Sequence, residues 1–507
     1  MQNKRPKNKS FLYGAMVLGA GGILAKFLGV LYRIPLSNII GAEGIGLYQM
    51  VFPFYTLLLT ISSAGLPAAI SKMVAEALAQ NDRKGAEKVF KAAVVSLSVL
   101  GVIATLLVFA LHKVVAKLQG NSAAALSYVG IAPALFFVAL VSAFRGFFQG
   151  RQNMLPTALS QLTEQIVKIA FGIVFAKMLL PYGTAYAALG ALLGVSVSEA
   201  FAAAQLWIQY LVYKKKERKH RYIPEADCHG DGVHADGERQ ACAAPSPCDT
   251  VTIPTAPRPS VVRRLFAISI PITLGAIILP VTQLIDSALV INILKGGGFS
   301  ERISTILYGL MTGHVMSLIN MPVVLSVAVA AAVMPGIAAS NIKGNKPAVE
   351  KKTGSALRTA VILAVPCVVI MCVFSRQIIG LLYGRSLRND PVLEAETAAR
   401  LLSATSLSIV YIAVVQVITA ALQAVGKTYV PVINLGIGSA IKIVLNLVLI
   451  SSPRLHIYGA AISTCACYAV AALLDMAALR KYVGRCEVGL REIWAQIFKR
   501  KKRENVL

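Results

Sequence analysis

Two basic residues interrupt the first long apolar segment of the chain. Lys26 and Arg33 are seven positions apart, about two turns of an α-helix, so they lie on one helical face. A charged side chain inside the hydrocarbon of a bilayer is costly and usually faces a cavity that forms part of a pathway. Neither residue has an obvious acidic partner in its own segment. The two residues therefore predict a site for an anion such as phosphate or pyrophosphate.

Further ionisable residues lie in later apolar segments. Glu164 and Lys168 are four positions apart and can form an ion pair on one helix. We interpret Lys168 and Lys442 as further substrate-binding residues. Glu164, Asp286 and His314 are interpreted as residues of ion coupling or gating. The alternatives are a structural ion pair between Glu164 and Lys168, and a histidine satisfied in the protein core at position 314.

The sequence shows little that points to catalysis or nucleotide binding. Residues 425–428 resemble the end of a phosphate-binding loop, but Ala421 stands where that loop needs glycine. The longest predicted outside loop, 384–399, carries three acidic residues and no histidine. The chain is therefore predicted not to be an enzyme and to need no cofactor. A coupling monovalent cation or proton, the membrane potential or substrate supply would have to power transport.

Long apolar segments define the elements that must position these residues. The chain has 507 residues, of which 56% are hydrophobic and 14% charged, against about 25% charged in soluble domains. Many segments approach the ~20 residues with which a helix spans a bilayer, which predicts an all-α integral membrane protein. The predicted spans are 11–40, 48–79, 88–112, 124–149, 155–180, 184–212, 262–294, 305–338, 354–383, 397–424, 429–450 and 457–481.

The basic residues predict the orientation of these spans. If both ends are cytoplasmic, the cytoplasmic regions hold 36 of the 50 lysines and arginines, and the outside loops hold 8. Such a bias is the usual mark of cytoplasmic loops. The net charge of +27 is distributed in this way rather than on one basic face with interleaved aromatics, so nucleic acid is not an expected partner. The predicted location is the cytoplasmic membrane.

A basic, polar stretch divides the spans into six and six. The predicted organisation is an N-terminal lobe at 1–213, a cytoplasmic linker at 214–260, a C-terminal lobe at 261–482 and a basic cytoplasmic tail at 483–507. The linker contains three cysteines and two histidines between 228 and 248, but their spacing matches no compact zinc site. We predict no metal site there.

The two halves also share sequence features. A glutamine precedes a lysine by nineteen residues in each half, at Gln149 and Lys168 and again at Gln423 and Lys442. Helix ends or hinges in corresponding places carry Pro67, Pro156, Pro335 and Pro431. An internal duplication with six helices per half gives a parallel repeat, in which one half rocks against the other around a central site.

Several motifs resemble a known family. The segments 25–36, 41–49, 63–72 and 145–150 are similar to polysaccharide-biosynthesis membrane proteins of the stage V sporulation protein B type. That group belongs to the multidrug/oligosaccharidyl-lipid/polysaccharide (MOP) exporter superfamily, which includes the lipid II flippases. The resemblance covers nearly the whole chain, and residues 222–260 depart from it as an insertion.

The resemblance implies two six-helix lobes around a central cavity and the flipping of undecaprenyl-pyrophosphate-linked sugars. Lipid II flippases carry basic cavity residues on the first helix and at the end of the second. Lys26 falls at one such position and Arg33 lies close to another. At the end of the second span this chain has Thr60, Ser62 and Ser63 instead, which leaves open whether the substrate is lipid II or a related glycolipid.

The function predicted from these features is a flippase for a lipid-linked anionic oligosaccharide, in cell-wall or spore-cortex synthesis. Two alternatives stay open. One is a cation-coupled multidrug exporter of the same superfamily, for which cavity acids rather than bases would be essential. The other is a membrane scaffold that recruits cell-wall synthesis proteins through its tail. The expected assembly is a monomer.

Overall fold

The computed structural model describes residues 7–63, 65–221, 261–387 and 390–484, and within these ranges every regular element is helical. The first half contains α1 (Lys7–Ser63), α2 (Leu66–Ala79), α3 (Arg83–Leu118), α4 (Ala124–Gly150), α5 (Leu155–Leu179) and α6 (Thr184–Arg221). The second half contains α7 (Val261–Ala276), α8 (Ile278–Gly296), α9 (Glu301–Gly309), a π-helical turn (Leu310–Val315), α10 (Met316–Ile342), α11 (Lys346–Val373), α12 (Ser375–Tyr383), α13 (Pro391–Ser406), α14 (Ser408–Ala424), α15 (Tyr429–Ile450) and α16 (Ile457–Tyr482).

The helices are long and apolar enough for a multi-pass membrane protein. Ten of those described could each cross a bilayer, or eleven if the pair α13 and α14, bent by 41°, forms one span. The first of the ten, Leu18–Ala79, has 62 residues, enough for two crossings of ~20 residues each. Counting it as two, together with the bent pair as one, gives twelve, the number predicted.

The first two predicted spans are joined in α1 and separated by a sharp kink. Gly41 adopts φ 75° and ψ 175° inside this helix, a backbone conformation that glycine reaches without the steric cost of a Cβ. The predicted spans 11–40 and 48–79 make 41–47 a connection, whereas in the structure the helix continues directly after the kink.

Prolines account for two further breaks that divide predicted spans. The ring of a proline clashes with the carbonyl four residues earlier. For Pro67 that carbonyl belongs to Ser63, the last residue of α1, and for Pro280 it belongs to Ala276, the last residue of α7. The predicted spans 48–79 and 262–294 are therefore each two helices.

Serines surround the break between α13 and α14. The hydroxyl of Ser406 donates to the carbonyl of Ser403 at 2.8 Å, and that of Ser408 donates to the carbonyl of Thr405 at 2.6 Å. Such bonds satisfy backbone oxygens that an interrupted helix leaves without partners, as a bend at membrane depth requires.

The predicted lobe boundaries are only partly covered. Helix α6 continues to Arg221, eight residues beyond the predicted boundary at 213. The rest of the linker, with its cysteines and histidines, lies outside the described residues, as does the tail beyond 484. The division into two lobes, a linker and a tail stays a prediction.

Candidate functional site

A cavity of about 320 Å³ lies between α1 and the second half of the chain. Its walls come from α1, α8, α9, the π-helical turn, α10, α15 and α16. Only three lining residues are charged, namely Arg33, Asp286 and Lys442. The charges of these three side chains sum to +1, which favours an anion over a cation in the cavity.

Arg33 is the cavity cation without an acidic partner in the described part of the chain. Its guanidinium donates to the hydroxyl of Ser317 at 3.4 Å and lies 5.4 Å from the ring centroid of Phe52. No carboxylate lies within ion-pair distance of it among the described residues. A cation in a partly apolar cavity is costly without a counter-charge, so this side chain favours an anionic ligand.

Lys442 and Asp286 form an ion pair across the cavity wall. The Lys442 ammonium lies 2.5 Å from one Asp286 oxygen, and the two side chains are only 17% and 15% exposed. Asn446 donates to the other oxygen of Asp286, and Ser463 donates to the amide oxygen of Asn446. The network joins α8, α15 and α16 and neutralises Lys442, which is therefore not a free anion receptor in this conformation.

Lys26 does not join Arg33 in the cavity. Lys26 is exposed and does not line the cavity. The seven-residue spacing places Lys26 about 10 Å from Arg33 along the helix axis, towards the end of α1 that begins the chain. Lys26 and Arg33 therefore lie on one helical face by their spacing, but only Arg33 lines the cavity.

The first half contains its own polar cluster, in which the possible ion pair between Glu164 and Lys168 does not form. Glu164 pairs with Arg145 of α4 at 3.2 Å rather than with Lys168. The Arg145 guanidinium also donates to Ser160 at 3.0 Å, so two contacts fix it beside the carboxylate. The carboxylate of Glu164 therefore pairs with a guanidinium of a neighbouring helix instead of with Lys168, four residues away on its own helix.

Two members of this cluster, Glu199 and Arg145, were not among the predicted site residues. Glu199 of α6 is buried, and its carboxylate accepts a hydrogen bond of 2.9 Å from the hydroxyl of Tyr55. Lys168 forms no ion pair with either carboxylate in the described part of the chain. The signal for Glu199 was an acid within an apolar span, whereas Arg145 had been assigned to a cytoplasmic connection.

His314 lies in the π-helical turn but points away from the cavity. It is fully buried; Nε2 lies 2.8 Å from the Ser386 hydroxyl, and Nδ1 lies 3.3 Å from the Gly309 carbonyl. Its ring also meets Tyr383 edge-on at 4.4 Å. This packing is that of a histidine satisfied in the core, the alternative weighed above, and a gating role stays a prediction.

The four predicted hinge prolines occupy two kinds of position. Pro67 and Pro156 lie in the first turn of α2 and α5, and Pro431 lies near the start of α15. Pro335 instead lies inside α10, which continues to Ile342. The first three therefore stand at helix starts where a connection could bend, and their role as hinges stays a prediction.

Hydrogen bonds join the two halves near α8 and α9, which also line the cavity. They connect the α1 kink and the α3–α4 connection to the α8–α9 region. Asn121 donates to Thr305 at 2.7 Å, and the Lys295 ammonium donates to the Gly120 carbonyl at 2.8 Å. These residues lie on the side that the charge distribution predicts to be outside.

Two family patterns match the chain, one in each half. The family described as "Polysaccharide biosynthesis protein" matches residues 11–226, and the family described as "MatE" matches residues 310–448. Stage V sporulation protein B of Bacillus subtilis (strain 168) is 28% identical over 474 residues, covering 93% of this chain and 84% of that protein. Lipid II flippase MurJ of the same organism is 27% identical over 493 residues, covering 94% and 84%.

Solved structures share the fold over nearly the whole chain. An inward-facing MATE family transporter of the MOP superfamily gives a TM-score of 0.65 at 14% identity, covering 92% of this chain and 98% of that one. Lipid II flippase MurJ in an inward closed conformation gives 0.61 at 13% identity, covering 92% and 87%. The predicted fold class and the resemblance are thereby confirmed.

Proposed function

We propose that this chain, a membrane transporter or flippase of the MOP superfamily, moves an undecaprenyl-pyrophosphate-linked oligosaccharide across the cytoplasmic membrane. The substrate is lipid II or a related glycolipid of cell-wall or spore-cortex synthesis. The observation that carries this proposal is Arg33, a cavity cation with no carboxylate partner among the described residues. A pyrophosphate supplies the missing negative charge.

The size of the cavity supports binding of the headgroup alone. About 320 Å³ is near the lower end of the range for small-molecule pockets. The polyprenyl chain would stay in the bilayer while the pyrophosphate and its first sugar enter. Arginine suits this role because its planar guanidinium binds phosphate oxygens through two parallel hydrogen bonds.

The ion pair between Lys442 and Asp286 supplies a switch for this cycle. A phosphate that reaches Lys442 competes with Asp286 for the ammonium group, and a proton or monovalent cation at Asp286 would release Lys442 to the substrate. Alternating access then requires the outer hydrogen bonds of Asn121 and Lys295 to break as one half rocks against the other. Lys26 and Lys168 act on the approach to the site rather than within it.

The function is tested by asking which lipid-linked precursor accumulates. Depletion of the protein should raise a pyrophosphate-linked precursor in the inner leaflet, and vesicles containing the purified protein should flip that lipid. The variant with both Lys26→Ala and Arg33→Ala should lose flipping. Lys88→Gln changes an exposed charge outside the cavity and should keep it. Flipping that survives the double substitution contradicts the site assignment.

A cation-coupled multidrug exporter is the second candidate, favoured by the carboxylate of Asp286 in the cavity. If the protein is such an exporter, Asp286→Asn should abolish export of a cationic drug, whereas Arg33→Gln should not. The flippase proposal predicts that Arg33→Gln has the larger effect. A scaffold for cell-wall synthesis proteins predicts that both cavity variants are silent.

A further inference from the structure

A second cavity lies on the basic side of the first half, apart from the central one. Its volume is about 290 Å³, and it is enclosed where the start of α3, the end of α4 and the end of α6 meet. Its lining includes four basic side chains and two acidic ones, Arg83, Lys84, Arg151, Lys214, Glu87 and Glu217. The sum of these charges is +2, and nothing in the proposed transport cycle uses this cavity.

The basic residues of this cavity differ in whether they have acidic partners. Lys214 lies 3.4 Å from Glu87, and Arg83 lies 3.7 Å from Glu217. Arg151 has no acidic partner in the part of the chain that the structure describes. Its guanidinium instead lies over the ring of Tyr213, 4.1 Å from the centroid.

The stacking holds Arg151 in place without satisfying its hydrogen-bond donors. The Phe147 ring lies 5.6 Å from the same guanidinium, which is thus flanked by two aromatic rings. Cation–π contacts orient the group, while the donors of its fork remain available to an anion. The stacking therefore orients a guanidinium that can donate two hydrogen bonds to two oxygens of one anion, such as a phosphate.

The depth of the cavity places it at the headgroup level of the membrane. On α6, the exposed apolar side chains Trp207, Ile208, Leu211 and Val212 face outward immediately before the basic residues begin. On α3, no charged residue follows Lys91 until position 113, so the hydrocarbon begins just beyond the cavity. Tyrosine and tryptophan are enriched at this boundary between headgroups and hydrocarbon, and Tyr210 and Tyr213 line the cavity there.

We propose that this cavity binds the phosphate of an anionic phospholipid from the leaflet on the basic side of the protein. Arg151 takes the phosphate oxygens, and Lys84, Arg83 and Lys214 add positive charge around them. Basic pockets between transmembrane helices on the cytoplasmic side bind anionic headgroups in this way. Glu87 and Glu217 hold Lys214 and Arg83 at the rim, which leaves Arg151 as the central ligand. The proposal stands independently of the transported substrate.

The test measures binding of phosphatidylglycerol to the purified full-length protein by native mass spectrometry. We expect Arg151→Gln to weaken binding about 10- to 100-fold, the loss that charge-assisted hydrogen bonds predict. Lys88→Gln is the matched control, because Lys88 is an exposed charge on α3 outside the cavity, and it should bind as the wild type does. Arg151→Lys keeps the charge without the fork and should fall between them.

Three results would overturn the proposal. Equal weakening by Arg151→Gln and Lys88→Gln would mean that the lipid responds only to overall charge. Equal binding of phosphatidylglycerol and phosphatidylcholine would remove the preference for an anion. Displacement of the lipid by glycerol phosphate at the same concentration would assign the cavity to a free phosphate ester. Thermal unfolding without added lipid checks that the variants are folded. If Arg151→Gln does not fold, lipid binding by Arg151→Lys is compared with that of the wild type instead.

Discussion

The Asp286→Asn variant leaves the ammonium of Lys442 without the carboxylate that lies 2.5 Å away. Removing one partner of a buried ion pair typically costs 3–5 kcal/mol, because the remaining charge stays buried without compensation. The two side chains retain 17% and 15% exposure at the cavity wall, so water can partly solvate the lysine. We therefore expect a loss near the lower limit, about 3 kcal/mol in the free energy of unfolding.

A double-mutant cycle separates the ion pair from other effects of the substitution. Lys442→Met removes the charge with similar volume, and the variant with both changes should recover most of the loss, with a coupling energy of about 2–3 kcal/mol. The assay is denaturant-induced unfolding in mixed micelles, followed by circular dichroism. A loss below about 0.5 kcal/mol for Asp286→Asn, or strictly additive effects, would refute the view that this pair is buried and mutually compensating.

Three other predictions concern the contacts between the halves and the buried histidine. Gly46→Ala brings a Cβ into a clash with the Thr305 carbonyl oxygen of α9, so it should shift the protein from the outward-closed state. Gly380→Ala, with nothing within 4 Å of the added Cβ, should not. Lys295→Gln removes a hydrogen bond between the halves. In a background without other cysteines, it should speed labelling of the cavity thiol of Cys467 by an impermeant maleimide added outside. An unchanged labelling rate would contradict the view that this bond keeps the cavity closed to the outside. His314→Gln should lower thermal stability while the pH profile of transport keeps its shape, and a shifted profile would restore the proton role.

The sequence was sufficient to predict roughly how many spans the chain contains and where most of them lie. Hydropathy runs near 20 residues follow directly from bilayer thickness, and tertiary contacts hardly alter them. The breaks inside spans were less accessible. Pro67 and Pro280 are visible in the sequence, but prolines such as Pro335 sit inside a continuous helix, so a proline alone does not fix where a helix ends.

The pairing of charges depended on contacts between helices that periodicity does not describe. Lys442 and Asp286 are 156 positions apart, and each was identified as an intramembrane charge without its partner. Glu164 had an apparent partner four residues away, yet Arg145 of another helix binds it. An i, i+4 spacing shows that two side chains can meet, whereas the three-dimensional structure determines which of several possible partners forms the ion pair.

Arg33 and Lys26 illustrate the same limit for the binding site. Spacing correctly placed them on one face of α1, and the cost of an intramembrane charge correctly indicated a cavity for Arg33. The shared helical face does not show at which depth of α1 the cavity lies, and therefore which of the two residues lines it. Arg33 lies where α8, α10 and α15 enclose a cavity, and Lys26 lies outside that lining.

The affinity of the purified protein for a short-chain polyprenyl pyrophosphate tests the anionic cavity most directly. We expect Arg33→Gln to weaken binding about 10- to 100-fold, the effect of lost charge-assisted hydrogen bonds. Lys88→Gln should leave the affinity unchanged. Unaltered affinity in Arg33→Gln, or a cationic drug that binds the wild type more tightly than the pyrophosphate does, would contradict the assignment of this cavity to an anionic lipid headgroup.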